Sequence, residues 1–174
     1  ILFGAIGGAL WATIPALLKT KFNTNEILTS LMLTYVALFI LDYFVVGPWK
    51  DPAGYGLPKS MPFPDAGRLP VLFDGLRIHI GVYFAMIICF ISYIVFNKTL
   101  FGFKLRVSGF SSKASQYAGF KYKNLIFYTF IISGACAGLA GLFEVSGPIG
   151  LLYRDISPNY GFTAIIVAFL GRLN

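Results

Sequence analysis

Four long runs with almost no charge decide what this chain can become. They are ILFGAIGGALWATIPALL (1–18), ILTSLMLTYVALFILDYFVVG (27–47), IHIGVYFAMIICFISYIVF (78–96) and LIFYTFIISGACAGLAGLFEVSG (125–147). Even the shortest run, the first, spans about 27 Å as a helix, enough to cross the hydrocarbon of a bilayer. A fifth run, YGFTAIIVAFLG (160–171), is too short to cross and reads as a half-helix, a re-entrant segment or a span cut by the end of the chain. Of the 174 residues 57% are hydrophobic and only 12% charged, where soluble domains carry roughly 25%. That composition excludes an ordinary soluble domain. The fold class is therefore all-α, a polytopic transmembrane helix bundle forming one domain over 1–174. The chain starts inside an apolar run and stops just after GRLN, so it reads as part of a longer protein.

Charge placement orients the spans. The net charge of +7 would suit nucleic acid, but the basic residues lie between apolar runs rather than on one face, so no nucleic-acid partner is expected. Segment 97–124 carries Lys98, Lys104, Arg106, Lys113, Lys121 and Lys123 and no acid. Segment 19–26 carries Lys19 and Lys21 against Glu26, and segment 48–77 mixes four basic with three acidic residues. The basic excess puts 97–124 in the cytoplasm, and alternation then puts 19–26 inside and 48–77 and 148–159 outside. Asn23 and Glu26 have the spacing of a capping box for the second span. Tyr43, Phe44 and Trp49 fit an outer aromatic belt, and Phe96, Phe101 and Phe103 an inner one. Six of the nine prolines fall in 47–75, which reads as a stiff irregular cap.

No catalytic constellation is visible. The single histidine, His79, sits at a span edge, and Cys89 and Cys136 lie inside apolar runs without a metal or disulfide framework. The chain is not expected to be an enzyme or to hold a cofactor. Gly134 and Gly138 are four apart, as are Ala137 and Gly141, and Gly4, Gly8 and Ala12 form a similar small face. Such faces let helices approach closely in lipid. Asp42, Glu144 and Asp155 all lie near the outer leaflet, and the first two are candidates for an outward vestibule. Asn25, Thr29, Ser30 and Thr34 run along one side of the second span. They either line a polar path or bond their own backbone.

One polar stretch, LRVSGFSSKASQYAGF (105–120), stands out. Ser111 or Ser112 can cap a short helix, and Gly119 can stop it. Ser112, Ala114, Ser115 and Ala118 are small, so the helix lacks the large apolar face that lying in lipid requires. It is either a basic loop that fixes topology or a helix made for a groove on a partner protein.

The same stretch resembles the cytoplasmic Arg-Ala-Val-Gly-x-Asn-x-x-Ala-Ala-x-Tyr-Ala-Gly-Ile loop of permeases in the simple-sugar and nucleoside ABC importers of bacteria, a branched-chain amino acid permease-like family. NTNEILTSLMLTYVALFI (23–40), SGACAGLAGLFEVSG (133–147) and YGFTAIIVAFLGRLN (160–174) resemble further segments of that family, in its order. The sequence departs from it at Ser111, where the family has Asn, and at Ala114-Ser115-Gln116. The resemblance implies a multi-pass subunit of the bacterial cytoplasmic membrane that moves a nucleoside or simple sugar by alternating access. Its partners would be a second permease subunit, cytoplasmic ATPase subunits holding ATP and Mg, an extracytoplasmic solute-binding lipoprotein, and the bilayer. Gly109, Ser111, Ser112, Ala114, Ser115, Tyr117, Ala118 and Gly119 would form the ATPase-coupling helix, and a cysteine at Ser115 is expected to crosslink to the ATPase. Asn25, Thr29, Asp42 and Glu144 would lie on the translocation path, and Gly134, Gly138 and Gly141 would pack helices. A secondary transporter or channel, or a lipid-holding scaffold, is the competing reading.

Overall fold

A computed structural model describes residues 1–52, 54, 57–64, 67–70, 79–154, 156–157 and 160–171. It contains seven α-helices among the described residues: α1 Leu2–Phe22, α2 Glu26–Val46, α3 Gly81–Lys98, α4 Leu100–Phe110, α5 Ser112–Tyr117, α6 Tyr122–Glu144 and α7 Tyr160–Leu170. A π-helical turn, Val145–Ile149, extends α6 and ends at Gly150 in the left-handed region, φ 69°. Four helices are long and apolar enough to cross a membrane, and α7 is a shorter apolar helix. Most of their side chains face outward, among them Phe39, Phe90 and Phe169, while among the described residues few apolar side chains are buried, chiefly Pro15, Ala16, Val45, Leu125 and Phe143. A chain with so small a core is held by lipid and neighbouring helices rather than by an interior of its own.

The tightest packing is between α1 and α6. They run antiparallel, because Gly4 lies against Gly138 and Leu142 while Gly8 and Ala12 lie against Gly134. A Cβ added at Gly8 would fall on the Gly134 carbonyl oxygen and stand 2.7 Å from Cα of Gly138. One added at Gly134 would stand 2.6 Å from the Gly8 oxygen, and one at Gly138 would overlap the Gly4 oxygen. Backbone touches backbone here, which only the absence of side chains permits. The two small faces read from the sequence are thus each other's partners. Gly141 is not among them: nothing lies within 4 Å of where its Cβ would be. It points about 100° away from its neighbour Leu142, which does meet Gly4.

The loops confirm which ends lie together. Ser60 donates its N–H to the Leu152 carbonyl at 2.8 Å, and its hydroxyl accepts from Leu152 N at 2.8 Å. Phe63 N donates to Gly150 O and Leu69 N to Ser146 O, each at 2.8 Å. The proline-rich segment is therefore stitched onto the end of α6, and Arg68 packs its guanidinium on Gly150. The opposite end gathers Lys19, Lys21, Lys98, Lys104, Arg106, Lys113, Lys121 and Lys123.

Two local expectations change. Asn23 does not cap α2; it ends α1 in the left-handed region at φ 52°, which asparagine tolerates. The cap is Asn25, whose Oδ1 accepts from Ile27 N at 3.0 Å, and Glu26 instead pairs with Lys19 at 2.6 Å. Asn25→Ala is expected to lower stability by about 1 kcal/mol, seen as an earlier thermal transition of the full-length protein in detergent. The second change is α4. Segment 97–124 is not a plain loop around one short helix, because Thr99 breaks the chain at φ −112°, ψ 158° and then caps a new helix, accepting from Gly102 N at 3.4 Å. Gly102 fits tightly there, since its Cβ would stand 2.6 Å from the Phe96 carbonyl carbon.

Candidate functional site

At the basic end, α4 and α5 meet in an elbow. Ser111 adopts an extended conformation, φ −157°, ψ 118°, between the two helices. Its carbonyl accepts from Ser115 N at 3.1 Å, so α5 begins where a serine cap was read. Gly119 stops α5 at φ 75°. Phe120 N donates to Ser115 O and Gly119 N to Gln116 O, each at 3.0 Å. This is a Schellman ending, in which a glycine just past the helix lets the last carbonyls find donors. Both boundaries of the short helix follow from residues the sequence already marked.

The side chains divide sharply. Ser115 is fully buried and shares a 2.8 Å hydrogen bond with the Ser108 hydroxyl, which locks α5 onto α4. Tyr117 is 94% exposed and Phe110 91%. Gly109, Ala118 and Gly119 are exposed with them, as is Ser111. The side chains of Ser112 and Ala114 lie outside the described residues. Two large aromatic side chains thus stand almost wholly in the open on either side of the bend at Ser111. Phe110 was not singled out from the sequence; it ends α4 and Tyr117 ends α5, and the extended Ser111 between the two helices leaves no single periodicity that could have paired them. Ser115, expected to face a partner, faces inward. A cysteine there would meet Ser108, so the crosslinking position moves to Tyr117.

The residues read as a translocation path are not brought together. Asn25 is spent on its cap, and Thr29 donates to Asn25 O at 3.1 Å. Ser30 donates to Ile27 O and Thr34 to Ser30 O, so that polar line bonds its own backbone. Asp42 lies roughly 20 Å further along α2. Its Oδ2 pairs with Arg154 at 3.4 Å, while Oδ1 is buried without a hydrogen-bond partner. Glu144 Oε1 accepts from the Tyr160 hydroxyl at 3.1 Å. Both acids therefore moor the connection between α6 and α7. Asp155 lies outside the described residues.

Comparison with known proteins gives a consistent picture. A family model described as "Branched-chain amino acid transport system / permease component" matches residues 1–174. The chain is 37% identical to the glucose ABC transporter permease protein TsgB13 of Haloferax volcanii, over 98% of this chain and 47% of that protein. It is 34% identical to the guanosine ABC transporter permease protein NupP of Bacillus subtilis, over 98% of this chain and 50% of that protein. It is 28% identical to the nucleoside ABC transporter permease protein NupB of Lactococcus lactis, over 98% of this chain and 49% of that protein. The chain thus spans about half the length of the relatives it matches. No solved structure gives a significant match.

Proposed function

The chain belongs to the branched-chain amino acid transport system permease component family, and from that premise we propose that it is part of a permease that moves a nucleoside or simple sugar across the bacterial cytoplasmic membrane, driven by ATP hydrolysis on a partner subunit. The solute class rests on the names of the relatives, a glucose, a guanosine and a nucleoside permease. The observation that carries the coupling role is the pair of exposed aromatics, Phe110 and Tyr117, on the elbow at the basic end.

In this reading the basic end faces the cytoplasm, where the excess of Lys and Arg belongs. Phe110 and Tyr117 seat in a groove of the ATPase, and a second permease subunit completes the pathway. When the ATPase dimer closes, α5 moves with it. The Ser108–Ser115 bond passes that movement to α4, and the short turn Gly119–Lys121 passes it to the start of α6. Because α6 lies backbone on backbone against α1, the two helices respond as one rigid pair. The proline-rich cap stitched to 146–152 would receive solute from an extracytoplasmic binding lipoprotein.

Uptake of labelled guanosine, uridine and glucose by cells expressing the full-length permease tests this reading. Uptake of one solute class is expected to disappear when the partner ATPase gene is deleted or its nucleotide site is disabled. Uptake that survives ATPase deletion but collapses with the proton or sodium gradient would overturn the proposal and assign a secondary transporter.

A further inference from the structure

A cleft of about 370 Å³ opens between α4 and the start of α6. Its lining combines Lys104, Lys121 and Asn124 with Phe101, Phe120, Leu125 and Tyr128. From Lys121 to Tyr128 the cleft follows about 10 Å of α6 toward the apolar span. It is cationic at the water end and apolar at the membrane end. Lys104 is steadied by the Phe120 ring, with Nζ 5.5 Å from the centroid, a contact that orients the cation without neutralising it. The sequence has no acid between Asp74 and Glu144, so nothing on α3, α4, α5 or the start of α6 cancels the charge. No side chain caps the start of α6, leaving its positive end open at the same place. On the other side of Asn124 a second cavity of about 430 Å³ adds Lys21 and Lys123.

We propose that this cleft holds an anionic glycerophospholipid of the cytoplasmic leaflet, with its phosphate between Lys104 and Lys121 and its glycerol and first acyl carbons against Phe101, Leu125 and Tyr128. A free phosphate needs the lysines but has no use for the apolar side chains, which follow α6 from Lys121 toward its apolar span. Phe110 and Tyr117 do not line the cleft, so a lipid here and a protein docked on the elbow occupy different surfaces. The proposal rests on the cytoplasmic placement of the basic end given above, but not on the ATPase or the solute.

The test uses the full-length permease in nanodiscs of mixed dioleoyl phosphatidylglycerol and dioleoyl phosphatidylcholine, with the lipids that survive detergent washing counted by native mass spectrometry. Phosphatidylglycerol is expected to be retained about tenfold over phosphatidylcholine. The double substitution K104Q/K121Q should abolish that preference, while K113Q, on α5 outside the cleft, should keep it. Equal retention of both lipids, or a preference unchanged in K104Q/K121Q, would overturn the proposal. Displacement of the lipid by inorganic phosphate alone, or by the ATPase subunit, would also overturn it by assigning the cleft to a free anion or to a protein. Transport is not part of the readout, so a failed lipid site and a failed transport assignment give different results.

Discussion

Gly138→Ala is expected to destabilise the full-length permease far more than Gly141→Ala, although each adds one methyl group to the same helix. At Gly138 the new carbon would overlap the Gly4 carbonyl oxygen and stand 2.9 Å from Cα of Gly8. Both neighbours are backbone, so no side chain can swing aside; α1 and α6 must separate along their shared face. Overpacking of this kind costs about 2–3 kcal/mol, and the lost dispersion contacts are what holds helices together in lipid. At Gly141 the added carbon meets nothing within 4 Å. Gly138→Leu should abolish assembly and uptake outright. Thermal unfolding in detergent together with membrane abundance reads the difference. Equal behaviour of the two alanine variants would remove the α1–α6 contact as the organising feature of the fold.

The second large effect belongs to the elbow. Tyr117→Asp is expected to reduce uptake by on the order of thirtyfold, the scale of one aromatic anchor lost from a protein interface. Tyr117 is 94% exposed and makes no part of the chain's own packing, so permease abundance and thermal unfolding should stay unchanged. Loss of ATPase co-purification alongside intact permease is the signature that separates an interface residue from a structural one. Ser115→Leu should show the reverse pattern, because a leucine in that closed site breaks the bond to Ser108 and forces α5 off α4.

The sequence made the large features legible for physical reasons. Runs of about twenty apolar residues in 1–18, 27–47, 78–96 and 125–147 have few ways to be satisfied, and all four became helices within a few residues of those limits. Glycine and alanine at intervals of four identified Gly4, Gly8, Gly134 and Gly138 as contact positions, since spacing fixes a helix face. The side of that face on which a partner sits is a matter of helix rotation, and Gly141 fell on the wrong side of it. Local caps were less legible. Asn23, Thr24 and Asn25 all suit the end of a helix, and only the left-handed backbone at Asn23 separates stop from start. Helix α4 was hidden because LFGFKLRVSGF has neither the length of a span nor a clean amphipathic face; it exists through the break at Thr99 and the fit of Gly102 against Phe96. The inward turn of Ser115 depends on the angle between α4 and α5, which no local pattern encodes.

Site-directed crosslinking tests the central claim most directly, that the α4–α5 elbow is where ATP hydrolysis is coupled to transport. Cysteines are placed one at a time at Tyr117 and Ser115 in a cysteine-free full-length permease co-expressed with its ATPase. A short bifunctional reagent should join Tyr117→Cys to the ATPase subunit, with a yield that changes between nucleotide-free and ATP-bound states, and should leave Ser115→Cys unlinked. Failure of Tyr117→Cys to crosslink in every nucleotide state, in membranes where the complex is active, would contradict the account.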